Sequence, residues 1–307
     1  MSEAPTVAKV ADRSPTRESV IVLSILAILA AVAIGYYLAT TLIPTPKVGI
    51  LRVQSQVGSI LAEVLSREIT YLRDRGDVKA VVLVIDSPGG GAASGHDIYM
   101  QIRNLREEMP VVASMDTLAA SAAYQIGVGA NEIYAKPATY VGNIGVISGV
   151  GQPEVLSERF ITTGPFKTTG GNGTTYLQKL DLLHADFRNS VVAERSMAFN
   201  PLTMTPDQVA TGEIWIGIEA LEYGLIDHLG SQLDAVDRAA ELAGLRNYEV
   251  VDIREEFFAL LRETESAQYE PMAKLYTELE SHVDDFDITK AEGARWPTFY
   301  QIYIPLE

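Results

Sequence analysis

The sequence predicts an α/β body with a parallel sheet, carried behind one membrane-spanning helix. Three observations predict it. Residues 20–43 contain no charge, strand-like and helix-like stretches alternate after them, and the strand-like stretches are apolar almost throughout. Such strands belong to sheets covered by helices on both faces. The chain has 307 residues, 47% of them hydrophobic, enough for a sizeable core. Its formal charge of -16 leaves no basic stripe for phosphates, so a nucleic-acid partner is not expected. With no cysteine, disulfides, thiolate catalysis and cysteine-ligated zinc are excluded.

The first element is the run VIVLSILAILAAVAIGYYLATTLI. At about 1.5 Å per residue it reaches about 36 Å, enough to cross a hydrocarbon core. A cleaved secretory leader has a shorter apolar region, about 7 to 15 residues, and Leu38-Ala39-Thr40-Thr41 is a poor cleavage site, so the run reads as an anchor. Lys9, Arg13 and Arg17 precede it, while Lys47 and Arg52 follow, which favours a cytoplasmic N-terminus and an extracytoplasmic body. Tyr36 and Tyr37 suit the outer interface. The expected division is a cytoplasmic segment 1–18, the helix 19–43, the body 44–253 and an acidic, partly helical extension 254–307.

Within the body, residues 48–53 alternate and are β-branched, a first strand. Ser59 is placed to cap a helix in which Ile60, Leu61, Val64, Leu65, Ile69 and Leu72 recur at helical spacing, ended by Gly76. VKAVVLVID is a buried strand running into SPGGG, a helix covers about 94–105, and PVVASM is a second buried strand leading into an alanine-rich segment. Residues 130–147 read as strand and turn, and 187–199 as a helix. GEIWIGIEALEYGLIDHLG gives a short strand, a helix over 218–223 and Gly224 as its left-handed terminator. Beyond Arg254, Met272, Leu275, Tyr276 and Leu279 recur at helical spacing after Pro271, followed by WPTFYQIYIPLE.

Two places carry chemistry. The three glycines Gly89, Gly90 and Gly91 let a ligand approach peptide N–H groups closely. Ser121 stands among alanines where a strand passes into a helix, beside the free N–H of Ala122. In a parallel sheet both lie at neighbouring strand ends, so a serine nucleophile could meet donors for a developing negative charge. The base is open at this level. None of His96, His184, His228 and His282 has a metal-ligand spacing such as HExxH, and His96 is nearest the glycine loop. A lysine can serve if desolvation lowers its pKa from about 10.4 to about 7.5, which requires roughly 4 kcal/mol. Lys167, between Phe166 and a glycine-rich turn, fits best, with Lys136 and Lys179 as rivals.

Taken in order, DSPGGG, AASAAY, YVGNIGVI, GPFK and GEIWIGIEALEYGLIDHLG behind a membrane span resemble the signal peptide peptidase A (protease IV) family of membrane-bound serine proteases. The resemblance covers about residues 48–250. It implies the spiral of β-β-α units shared by the Clp protease and the crotonases. It also implies a serine-lysine dyad of Ser121 and Lys167, and an oxyanion hole from the backbone of Gly89 or Gly90 and of Ala122. The peptide would be a signal peptide or another short apolar segment, the subunits would form a homo-oligomer, and no cofactor or metal is implied. Two departures stand out. Ala122 and Ala123 follow the serine where the family commonly has glycines, and Asn143 stands where it commonly has a serine that assists the lysine. An asparagine carbonyl can orient the amine but cannot relay a proton. The alternatives are a related membrane protease with one specific protein partner, a catalytically silent scaffold, and a crotonase-type acyl-CoA enzyme, which would have no use for the anchor.

Overall fold

In the computed structural model, which describes residues 17–42, 44–148, 163–164, 166–167, 170–264 and 269–285, the charge-free run is one helix, α1 (Arg17–Leu42). Its stretch Val20–Leu38 has a mean hydropathy of 2.5 and is long and apolar enough to span a membrane. It is a unit apart from the body. Lys9, Arg13 and the WPTFYQIYIPLE segment lie outside the described residues.

The body begins with β1 (Lys47–Gln54), α2 (Ser59–Arg73), β2 (Val78–Ser87), α3 (Ala92–Arg106), β3 (Val111–Ala120), α4 (Ala122–Gly127), β4 (Glu132–Ala135) and β5 (Tyr140–Gly142). It continues through α5 (Gly173–Ser196), α6 (Pro206–Val209), β6 (Ile214–Ile216), α7 (Gly217–Glu222), β7 (His228–Leu229), α8 (Gln232–Leu242), β8 (Glu249–Asp252), α9 (Ile253–Glu263) and α10 (Tyr269–Asp285). The strands form one sheet in the order β6-β5-β3-β2-β1-β8, with β4 on β3 and β7 on β4. All pairs are parallel except β5 with β6, where the chain turns back and breaks the expected parallel pattern.

Along β2 the period of two sorts side chains to opposite faces. Val81, Leu83 and Ile85 enter the larger core with Leu61, Leu65 and Ile98, while Ala80, Val82 and Val84 meet Ala235, Val236 and Ala239 of α8. Burial on both faces explains why this strand has no alternating polar residues. Ser59 does not cap α2: Gly58 occupies the cap position, and no side chain caps that end. Past residue 254, Met272, Tyr276 and Leu279 of α10 are buried, and Tyr276 Oη donates to Glu68 Oε1 of α2 at 3.1 Å. The Glu68 carboxylate also accepts from Arg254 Nε at 2.7 Å, so the C-terminal helices are clamped to the body.

Candidate active site

β3 ends at Ala120 and α4 starts at Ala122, leaving Ser121 alone in the junction. Its backbone stands at φ 55, ψ -127. Such a conformation costs a non-glycine residue about 1–3 kcal/mol and persists only where the surroundings enforce it. Here the Ser121 N–H donates to Gly142 O of β5 at 2.8 Å, and its carbonyl accepts from Gln125 N at 3.0 Å. Buried Tyr124 fixes α4 from below, its hydroxyl donating to Leu225 O at 2.7 Å, and burial pushes its pKa up so that it remains a donor. The position of Ala122 does not require glycine, because its φ is negative, as for every described non-glycine residue except Ser55, Ser121 and Asn143.

The approach to Ser121 is set by a bulge. Ile85 pairs with Met115 but Ser87 with Ala119, so β3 holds two more residues than β2 over this interval. The surplus is stitched down by Asp86 Oδ1, which accepts the Leu118 N–H at 3.1 Å, and by Thr139 Oγ1, which donates to Asp116 O at 2.5 Å. Lys136 pairs with the Asp116 carboxylate. Bulges of this kind re-aim the chain next to active sites.

The glycine loop lies against the serine. At Gly89, φ 92, an added Cβ would stand 2.8 Å from both Ser121 Cβ and Ala122 N, and 2.6 Å from Ala120 O, so only glycine fits. Val57 braces the loop, donating to Gly89 O and accepting from Gly91 N, each at 2.8 Å. The Gly89 N–H donates to Ser87 Oγ at 3.2 Å. Among the described residues, the N–H groups of Gly90 and Ala122 meet no acceptor. Ser121, Gly89 and Ala122 are thus brought together, with Gly90 next in the loop.

Lys167 is placed differently from the burial expected of it. It is exposed, in a turn closed by Gly170 N donating to Phe166 O at 2.7 Å, and residues 165 and 168–169 lie outside the described set. Asn143, at φ 52, follows directly on the Gly142 that holds Ser121, and its Nδ2 donates to Gly212 O at 2.8 Å. Lys136 is committed to Asp116, and Lys179 donates to Gly170 O at 3.3 Å. His96 Nδ1 stands 3.3 Å from Asp186 and 3.5 Å from Gln125 Nε2. His184 Nε2 bonds Ala210 O at 2.8 Å. His228 lies in β7 and not in a turn, bonded to Glu132 at 2.8 Å. His282 is part of α10. Sequence reasoning missed Asp86 and Ser87 of the DSPGGG motif, whose polar side chains ahead of the glycines were the available signal.

Residues 103–246 match the family model described as Peptidase family S49, and residues 45–140 match that of the Clp protease. A protease of Synechocystis is 34% identical over 54% of this chain and 64% of its own length. The chloroplastic serine protease SPPA of Arabidopsis thaliana is 31% identical over 61% of this chain and 29% of its own. A solved structure of a membrane-bound stomatin-specific protease aligns over 64% of this chain and 86% of that one, with 20% identity and a TM-score of 0.47. The chain therefore spans 64% or less of the length of these two curated relatives.

Proposed function

We propose that the chain is a membrane-anchored serine endopeptidase that cleaves signal peptides or other short apolar peptides, a reading supported by the match of residues 103–246 to the model of peptidase family S49. The observation that carries this reading is the strained Ser121 at a strand-to-helix junction, with Gly89 packed against it. The Ser121 hydroxyl attacks the scissile carbonyl carbon, and its proton passes to the amine of Lys167. The carbonyl electron pair moves onto oxygen, where the N–H groups of the glycine loop and of Ala122 receive it. When the intermediate collapses, the C–N bond breaks and the leaving amine takes the proton from Lys167. Water then adds to the acyl ester, giving its proton to Lys167, and the departing Ser121 oxygen recovers it.

The role of Lys167 rests on the family resemblance and its loop position, and that of Asn143 on its place beside Gly142. The anchor is the Val20–Leu38 span, with the N-terminus cytoplasmic and the body extracytoplasmic by the charge bias around it. In the test, the full chain in detergent is treated with a fluorophosphonate probe and assayed on a quenched-fluorescent apolar peptide. Wild type labels and cleaves, and Ser121→Ala does neither. Cleavage by Ser121→Ala at the wild-type rate would overturn the reading.

A further inference from the structure

The DSPGGG motif carries a serine that the proposed mechanism does not use. Ser87 is 1% exposed, at the end of β2 and two residues before Gly89. Its hydroxyl makes two bonds of fixed direction. As donor it meets the carbonyl of Ser55 at 2.5 Å, and Ser55, at φ 70, is itself buried. With its proton committed there, the oxygen offers a lone pair, and this accepts the Gly89 N–H at 3.2 Å. The neighbouring amides are held by other means: Gly91 N donates to Val57 O, and Val57 N donates to Gly89 O. Gly90 N–H alone of the three has no acceptor among the described residues.

We infer that Ser87 is a positioning residue for the oxyanion hole, which takes up the Gly89 N–H and so makes Gly90 the glycine-loop donor to the oxyanion. A buried N–H that loses its acceptor is costly enough to turn a peptide plane toward any other one. In Ser87→Ala the Gly89 amide loses its acceptor within the turn, and the loop can rotate to satisfy it. The Gly90 amide would then leave its aim, although no group touching substrate has changed. Ser87 thereby acts on the transition state and not on peptide binding, because the oxyanion exists only after attack.

The inference rests on the serine-protease reading, so the experiment separates the two. The full chain, as wild type, Ser87→Ala, Ser87→Cys and Ser121→Ala, is assayed on the same apolar peptide and titrated with a peptide boronate. Boronate captures serine as a tetrahedral adduct that loads the hole. Loss of a whole oxyanion donor costs about 100- to 1,000-fold in kcat, so a misaimed one in Ser87→Ala should cost about tenfold or more. KM should stay within about twofold and boronate affinity should fall with kcat. Ser87→Cys keeps the shape with a weaker acceptor and should lie between. It carries the test alone if Ser87→Ala does not fold. A kcat within twofold of wild type in the folded variant, or a rise in KM at constant kcat, overturns the role of Ser87 while Ser121→Ala is inactive. Activity in Ser121→Ala overturns the reading beneath it.

Discussion

At the residue scale, the backbone around Ser121 leaves no room for a side chain at Gly89. In Gly89→Ala the new methyl meets Ala120 O at 2.6 Å and Ser121 Cβ at 2.8 Å, at a φ that alanine resists. It should lose about 2 kcal/mol or more of stability together with most peptide cleavage, read by thermal melting and by kcat. Lys167→Ala should be nearly as inactive as Ser121→Ala, and the double variant no worse than either, since members of one catalytic unit do not add. His96→Ala should retain most activity, because its ring is engaged with Asp186 and Gln125; an inactive His96→Ala beside an active Lys167→Ala would move the base to imidazole. The strand-to-helix junction that holds Ser121 was legible because an apolar strand ran directly into small residues. The parts played by Asp86 and Ser87 were not, since they depend on the register between two strands. The surroundings of Lys167 could not be read either, because a loop side chain is buried only by segments remote in sequence.

At the level of elements, two charge clusters join segments far apart in the chain. Arg195 and Asp227 are buried against each other at 2.8 Å, and Asp227 also receives Ile133 N and Asn200 N, tying α5 to β4 and the turn before β7. Asp227→Ala strands the guanidinium and should cost about 3–5 kcal/mol in chemical unfolding. Around the start of β1, Arg75 and Lys47 hold both Asp77 and Glu256, fastening α9. The Arg75 hydrogen bond keeps the Asp77 carboxyl well below the usual range. Its stabilisation is therefore full above the unfolded pKa near 4 and is lost as pH falls through the lower folded value. Asp77→Asn should flatten the acid limb of a stability-pH curve, and an unchanged limb would refute this. The alternation of strands and helices was plain in the sequence. The first half of α5 was not, because its cap is Asn172 with Thr175 instead of an acidic partner. Nor was the antiparallel β6, whose three residues are too few to show a direction.

For the whole molecule, the proposed anchor and the body are separate units, so each can be tested without the other. With residues 1–45 removed, the protein should move from the membrane pellet to the soluble fraction and keep its melting transition; loss of the transition would show that the body needs the anchor. External protease added to cells stripped of their wall should digest the body of the full chain without permeabilisation, and digestion only after permeabilisation would reverse the proposed orientation. One charge-free run marks the first helix in the sequence, but no comparable signal marks the partner of the first strand. That partner is β8, with Lys47 opposite Glu249 and Ile50 opposite Asp252. The pairing has a consequence during synthesis. At about 5–20 residues per second, some 200 residues take on the order of 10–40 s to emerge, and until then one edge of β1 has no neighbour. The newborn chain thus spends that interval with an uncovered strand edge, a period in which it is open to chaperones and to wrong pairing with other nascent chains.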